Sequence, residues 1–170
     1  MTVSYRLDLL TADGIREVPE QSLTGAWEEL RALVERQDPL EGTIVVEVDG
    51  QAVLEVGDEL WAAAQNLCFA GVSAVLSGER DCLLYRLTSS EGHLVLLPMG
   101  HLVRLFGDRF PTVTAPQAEL LPDLFDCGLR LLDLYRRVGD DAAHQASYLE
   151  PFAEEARRRL EAAGLRKAAG

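Results

Sequence analysis

The chain has 170 residues, a formal net charge of −12 and three cysteines; that length fits one domain with a hydrophobic core of its own, and residues 1–170 are expected to form a single α+β domain. Cys68, Cys82 and Cys127 are odd in number and far apart, which excludes a disulfide framework and a zinc site of the CxxC kind, and they are expected as reduced, mostly buried thiols. The negative charge argues against nucleic acid or an anionic membrane as partner and favours a basic one.

The segment "VSYRLDLL", the turn "TADG" and then "IREV" alternate as two strands of a hairpin. Arg6 and Asp8 interrupt the first apolar run, so a signal peptide is not expected and a cytoplasmic setting is. From Thr24, read as an N-cap, a helix places Trp27, Leu30 and Val34 on one face and Arg31 four residues before Glu35, and Pro39 follows its end.

A second hairpin spans Thr43 to Val56 around Asp49-Gly50. A two-residue loop would set Ile44 opposite Glu55, whereas a three-residue loop with a bulge at Gly50 sets Val46 opposite Ala52 and Ile44 opposite Leu54, making one face wholly apolar. On that reading Glu47, Asp49 and Glu55 point away from the core. Asp58 is then expected to cap the next helix, with Glu59 in its first turn, where negative charge suits the helix dipole.

That helix carries no charge from Leu60 to Gly78 and is expected to lie buried on the sheet. Gln65, Asn66 and Ser73 interrupt it, so it is not read as a membrane span. "CLLYRL" and "HLVLL" form a third hairpin, and "HLVRLF" adds a short strand. After Phe110 the chain is expected to be helical to its end, with Thr114 as a cap and Pro122 starting or kinking the main helix. There Phe125, Gly128, Leu132 and Tyr135 trace an apolar stripe, with Asp126–Arg130 and Asp133–Arg137 as i,i+4 pairs. The last helix is expected to turn Phe152, Ala156 and Leu160 inward, to pair Glu154 and Glu155 with Arg158 and Arg159, and to stop at Gly164.

The fold expected from this order is α+β in two layers: a mainly antiparallel sheet of about six or seven strands built from successive hairpins, helices on one face, and two C-terminal helices. Among chemical candidates, "GVSAV" around Ser73 lacks the strand–turn–helix context of a nucleophile elbow. His93, His101 and His144 show no metal-ligand spacing, and Cys82 with His101 is the other nucleophile and base pair one can draw. Neither GxGxxG nor GxxxxGK[ST] is present, and no metal site is expected.

Residues 1–59 hold fourteen acids against four arginines, a net −10 of the total −12. The function expected is therefore a non-catalytic acidic binding module, an inhibitor or immunity-type protein of a bacterial cytoplasm whose partner is a basic protein, for instance a toxin. Glu47, Asp49, Glu55, Asp58 and Glu59 are its expected contact residues, and no cofactor is expected. The alternatives are a small hydrolase-like enzyme and a homo-oligomeric subunit joined through the uncharged helix.

Overall fold

A computed structural model describes residues 1–79, 81–138 and 140–166, apart from the side chains of Thr24 and residues 140–143. Strands β1 (Thr2–Thr11) and β2 (Gly14–Pro19) form the opening hairpin, followed by α1 (Glu20–Val34). The second hairpin is β3 (Glu41–Val48) and β4 (Gln51–Glu59). The next helix runs as α2 (Leu60–Ala63), a π-helical segment (Ala64–Gly71) and α3 (Val72–Ser77). Four strands follow, β5 (Leu83–Arg86), β6 (His93–Met99), β7 (Leu102–Gly107) and β8 (Phe110–Pro116), and then α4 (Gln117–Arg137) and α5 (Asp140–Ala162).

The class is α+β and every strand pair is antiparallel. The eight strands divide into two sheets of four, in the order β2-β1-β3-β4 and β5-β6-β7-β8. In the first sheet β1 lies between its hairpin partner β2 and the non-sequential β3. Helices cover the inner faces of both sheets: α1 and α4 lie on β1, α2 on β3 and β4, α3 on β6, and α4 on β8. One contiguous set of buried side chains joins the strands of both sheets to the helices, from Leu7 and Ile44 through Leu67 and Phe69 to Leu96, Phe125 and Leu160.

The central helix is long and apolar enough to cross a membrane by composition. It instead packs against α4 and α5, and Ala63, Ala64, Leu67, Cys68 and Phe69 are fully buried. Gly128 of α4 permits the close approach, because a Cβ there would stand 2.6 Å from the Phe69 ring and 2.7 Å from the Cys68 Cβ. The Phe69 and Phe125 rings meet edge to face, 5.9 Å between centroids.

Several local expectations are corrected. The β3–β4 turn is a two-residue loop at Asp49 and Gly50, with φ of 53° and 76°, so Val48 pairs with Gln51 and Glu47 with Ala52. Val53 is then skipped as a bulge, and Val46 pairs with Leu54 and Ile44 with Val56. Ala52 is exposed, not on the core face. The hydrophobic pattern still sets the buried face, but the bulge that restores it lies inside β4 and not at the turn.

Helix α1 starts at Glu20, after Pro19, one turn before the expected cap at Thr24. The chain after Phe110 is first a strand, because Val113 and Ala115 alternate inward opposite Leu105 and Val103. Thr114 therefore lies in β8, and α4 begins at Gln117, whose backbone N–H donates to the His101 carbonyl at 2.8 Å. Pro122 lies inside α4 and neither starts nor ends it.

The inward stripe of α5 is Ala146, Leu149, Ala153, Ala156 and Leu160, which leaves Phe152 exposed. Asp126 pairs with Arg166, and Arg130 pairs with Glu20, so the expected Asp126–Arg130 pair gives way to tertiary partners. The pairs Arg31–Glu35, Asp133–Arg137 and Glu155 with Arg158 and Arg159 form as expected, while Glu154 pairs with Arg157. Cys68 and Cys127 are buried, but Cys82 is exposed just before β5.

Candidate functional site

On the first sheet Val3, Tyr5, Leu7 and Leu9 of β1 point into the core, so alternation turns Ser4, Arg6, Asp8 and Leu10 to the opposite face. The register then brings acids together. Asp8 pairs with Glu17 of β2, Glu41 of β3 pairs with Glu59 of β4, and one step past the Leu7–Gly42 pair sets Asp8 beside Glu41. Glu17, Asp8, Glu41 and Glu59 thus form one row across all four strands.

Burial, then the neighbouring Glu17, raises the Asp8 pKa above its ordinary value, against the opposing pull of Arg6. Oδ1 of Asp8 is buried without a hydrogen-bond partner among the described residues. Glu59 is likewise raised, by burial first and then by Asp58 and Glu41. Like charges placed opposite one another across strands destabilise a sheet. The cation beside the row is Arg6, which donates to both Glu55 carboxylate oxygens at 3.2 and 3.3 Å and lies 3.5 Å from Glu17.

The five acids singled out from sequence do not share one surface. Glu55 and Glu59 lie on this outer face, and Asp49 is exposed at the hairpin tip. Glu47 stands at the end of the sheet, accepts a hydrogen bond from the Thr2 hydroxyl at 3.2 Å, and lines a cleft of about 570 Å³ with Glu20, Asp123, Asp126 and Arg130. Asp58 points the other way and is 2 % exposed. It does not cap a helix. Its Oδ1 accepts from the Thr88 N–H at 2.8 Å, the Thr88 hydroxyl at 2.6 Å and the Ser89 N–H at 2.8 Å, and its Oδ2 accepts from the Tyr85 hydroxyl. This carboxylate ties the edge of the first sheet to the β5–β6 hairpin of the second, and it is removed from the contact surface.

Asp8, Glu17 and Glu41 were not singled out from sequence. Their signal is present in the alternation of β1 and β2, but it becomes a row only once β1 is known to pair with β3. The residues that suggested enzyme chemistry stand apart. Ser73 lies in α3 at a groove against α5, its hydroxyl without a partner among the described residues. Cys82 precedes β5, His101 sits in the β6–β7 turn, and His93 Nδ1 lies 2.8 Å from Asp108. No group of three or more metal-ligating side chains is found among the described residues. Comparison of the chain with family models, with curated proteins and with solved structures finds no match.

Proposed function

We propose that the protein is a non-catalytic binding module, of inhibitor or immunity type in a bacterial cytoplasm, whose outer acidic face docks a basic protein. The observation that carries this reading is the row Glu17, Asp8, Glu41 and Glu59, four carboxylates in register across one open sheet face. Such a row costs stability in the free protein, and cationic side chains of a partner relieve that cost on binding.

The test compares wild type with a variant in which Asp8→Asn, Glu41→Gln and Glu59→Gln remove three charges and keep the shapes. Each is immobilised and exposed to a lysate of the source cells at low salt, and basic proteins held by wild type are then followed kinetically. The expected result is a basic partner lost by the variant, with an association rate that falls as salt screens the field over about 8–10 Å. Capture of the same proteins by both forms, or a partner whose on-rate ignores salt, would sink the proposal.

A further inference from the structure

On the helical side of the first sheet, away from the acid row, a cleft of about 430 Å³ opens between α1 and α4. That volume lies within the roughly 300–1,000 Å³ of small-ligand sites. Its lining includes Tyr5 of β1, which is only 5 % exposed. Its phenol supplies a hydroxyl to that lining. Burial, reinforced by the charge of Glu20, pushes its pKa well above the usual value, so it stays neutral and is a donor.

The apolar walls are Leu23 and Trp27 from α1 and Leu129 and Leu132 from α4. Arg130, Arg136 and Arg137 line the cleft against two carboxylates, Glu20 and Asp133. Its lining is therefore net positive in a protein of net charge −12. Two other clefts run the opposite way, one with four acids against Arg130 and one with Glu79 and Glu155 against Arg159.

The three arginines are not equivalent. Arg130 is held by Glu20 and donates to the Val3 carbonyl at 2.7 Å. Arg136 and Arg137 pair with Glu150 and Asp133 at 2.7 and 2.6 Å, through side chains that are all at least half exposed. Exposed pairs of this kind contribute little, so both guanidiniums are free to turn to an anion at low cost.

We propose that this cleft binds a small amphiphilic organic anion, with its apolar body between Trp27 and the leucines, its carboxylate at Arg136 and Arg137, and an acceptor atom at the Tyr5 hydroxyl. Such a ligand is matched on all three counts by 4-(4-methoxyphenyl)butanoate, and its uncharged alcohol, 4-(4-methoxyphenyl)butan-1-ol, tests the anion separately.

Titration of the ¹⁵N-labelled protein with the acid should give saturable shifts of the Trp27 indole N–H and of backbone amides in residues 23–27 and 129–137. The alcohol should bind at least about fivefold more weakly, as should the acid to the Arg136→Gln/Arg137→Gln variant, because one charge-assisted contact is worth about that factor or more. Tyr5→Phe should weaken the acid by roughly threefold or more. Absence of saturable shifts in wild type, equal binding of acid and alcohol, or shifts centred on the exposed Leu10 and Ile15 or Leu84 and Met99 would each overturn the proposal. The acid and alcohol comparison uses wild type alone and decides the matter even where a variant fails to fold.

Discussion

Asp58 is read from sequence as a surface acid and helix cap, and in the folded chain it is the buried acceptor of four hydrogen bonds from Tyr85, Thr88 and Ser89. Burial by itself raises its pKa, but the bonds from Thr88, Tyr85 and Ser89 outweigh burial and leave it below the usual carboxylate value. A folded pKa below the unfolded one contributes stability above the unfolded value of about 3.9, and that contribution is lost as pH falls through the folded pKa. Asp58→Ala is expected to cost about 3 kcal/mol or more at pH 7, because it leaves the Tyr85 hydroxyl and the Thr88 and Ser89 donors without their acceptor. Tyr85→Phe, which removes one neutral donor, is expected to cost about 1–2 kcal/mol. Urea denaturation at pH 7 and pH 3 checks both, and the Asp58→Ala penalty should shrink at the lower pH. An unchanged penalty would mean that the carboxylate's charge is not what the site uses.

Within the first sheet, pairing sets the electrostatics of a whole face. The β3–β4 hairpin keeps Ile44, Val46, Leu54 and Val56 on the core side by skipping Val53, and the same register places Glu41 opposite Glu59 on the other. The acids of this row behave opposite to Asp58. With folded pKa values of Asp8 and Glu59 raised, protonation favours the fold, so their repulsion is present at neutral pH and relieved as pH falls through those raised values. Asp8→Asn is accordingly expected to stabilise the protein at pH 7 by roughly 0.5 kcal/mol. Wild type is expected to gain midpoint temperature as pH falls from 7 to 5, and Asp8→Asn to reduce that gain. Thermal melts at the two pH values measure this, and a destabilised Asp8→Asn protein would show that the row is not under repulsion.

For the molecule as a whole, the two sheets share one buried cluster and are tied by Asp58, so unfolding is expected as one cooperative transition. Trp27 and Trp61 report on α1 and on the central helix, the latter through an indole N–H that donates to the Gln145 carbonyl at 3.3 Å, while far-ultraviolet circular dichroism reports all helices together. The urea transitions seen by the two probes should superimpose within error. A separate early transition in fluorescence would show that the first sheet and its helix unfold as an independent unit.

Local periodicity carried much of the architecture. Alternation in "VSYRLDLL" and "HLVLL" marks strands, the uncharged run from Leu60 marks a buried helix, and the spacing of Phe125, Gly128, Leu132 and Tyr135 marks the inner face of α4. These signals survive because each depends on a few neighbouring residues whose side chains all meet the same environment. In α5 Ala156 and Leu160 face inward as their spacing predicts, but the stripe continues through Ala153, Leu149 and Ala146 and leaves the bulky Phe152 exposed. The partners that the candidate site depends on are distant in the chain. Asp8 meets Glu41 because β1 pairs with β3 and not only with β2, and Asp58 turns inward because its donors lie about thirty residues later, on the β5–β6 hairpin. Composition alone placed the excess negative charge in the first third of the chain. Only the tertiary structure decided which of those carboxylates face solvent in a row and which is buried as a tie, because strand order and cross-sheet hydrogen bonds are set by the packing of the whole core and not by any local pattern.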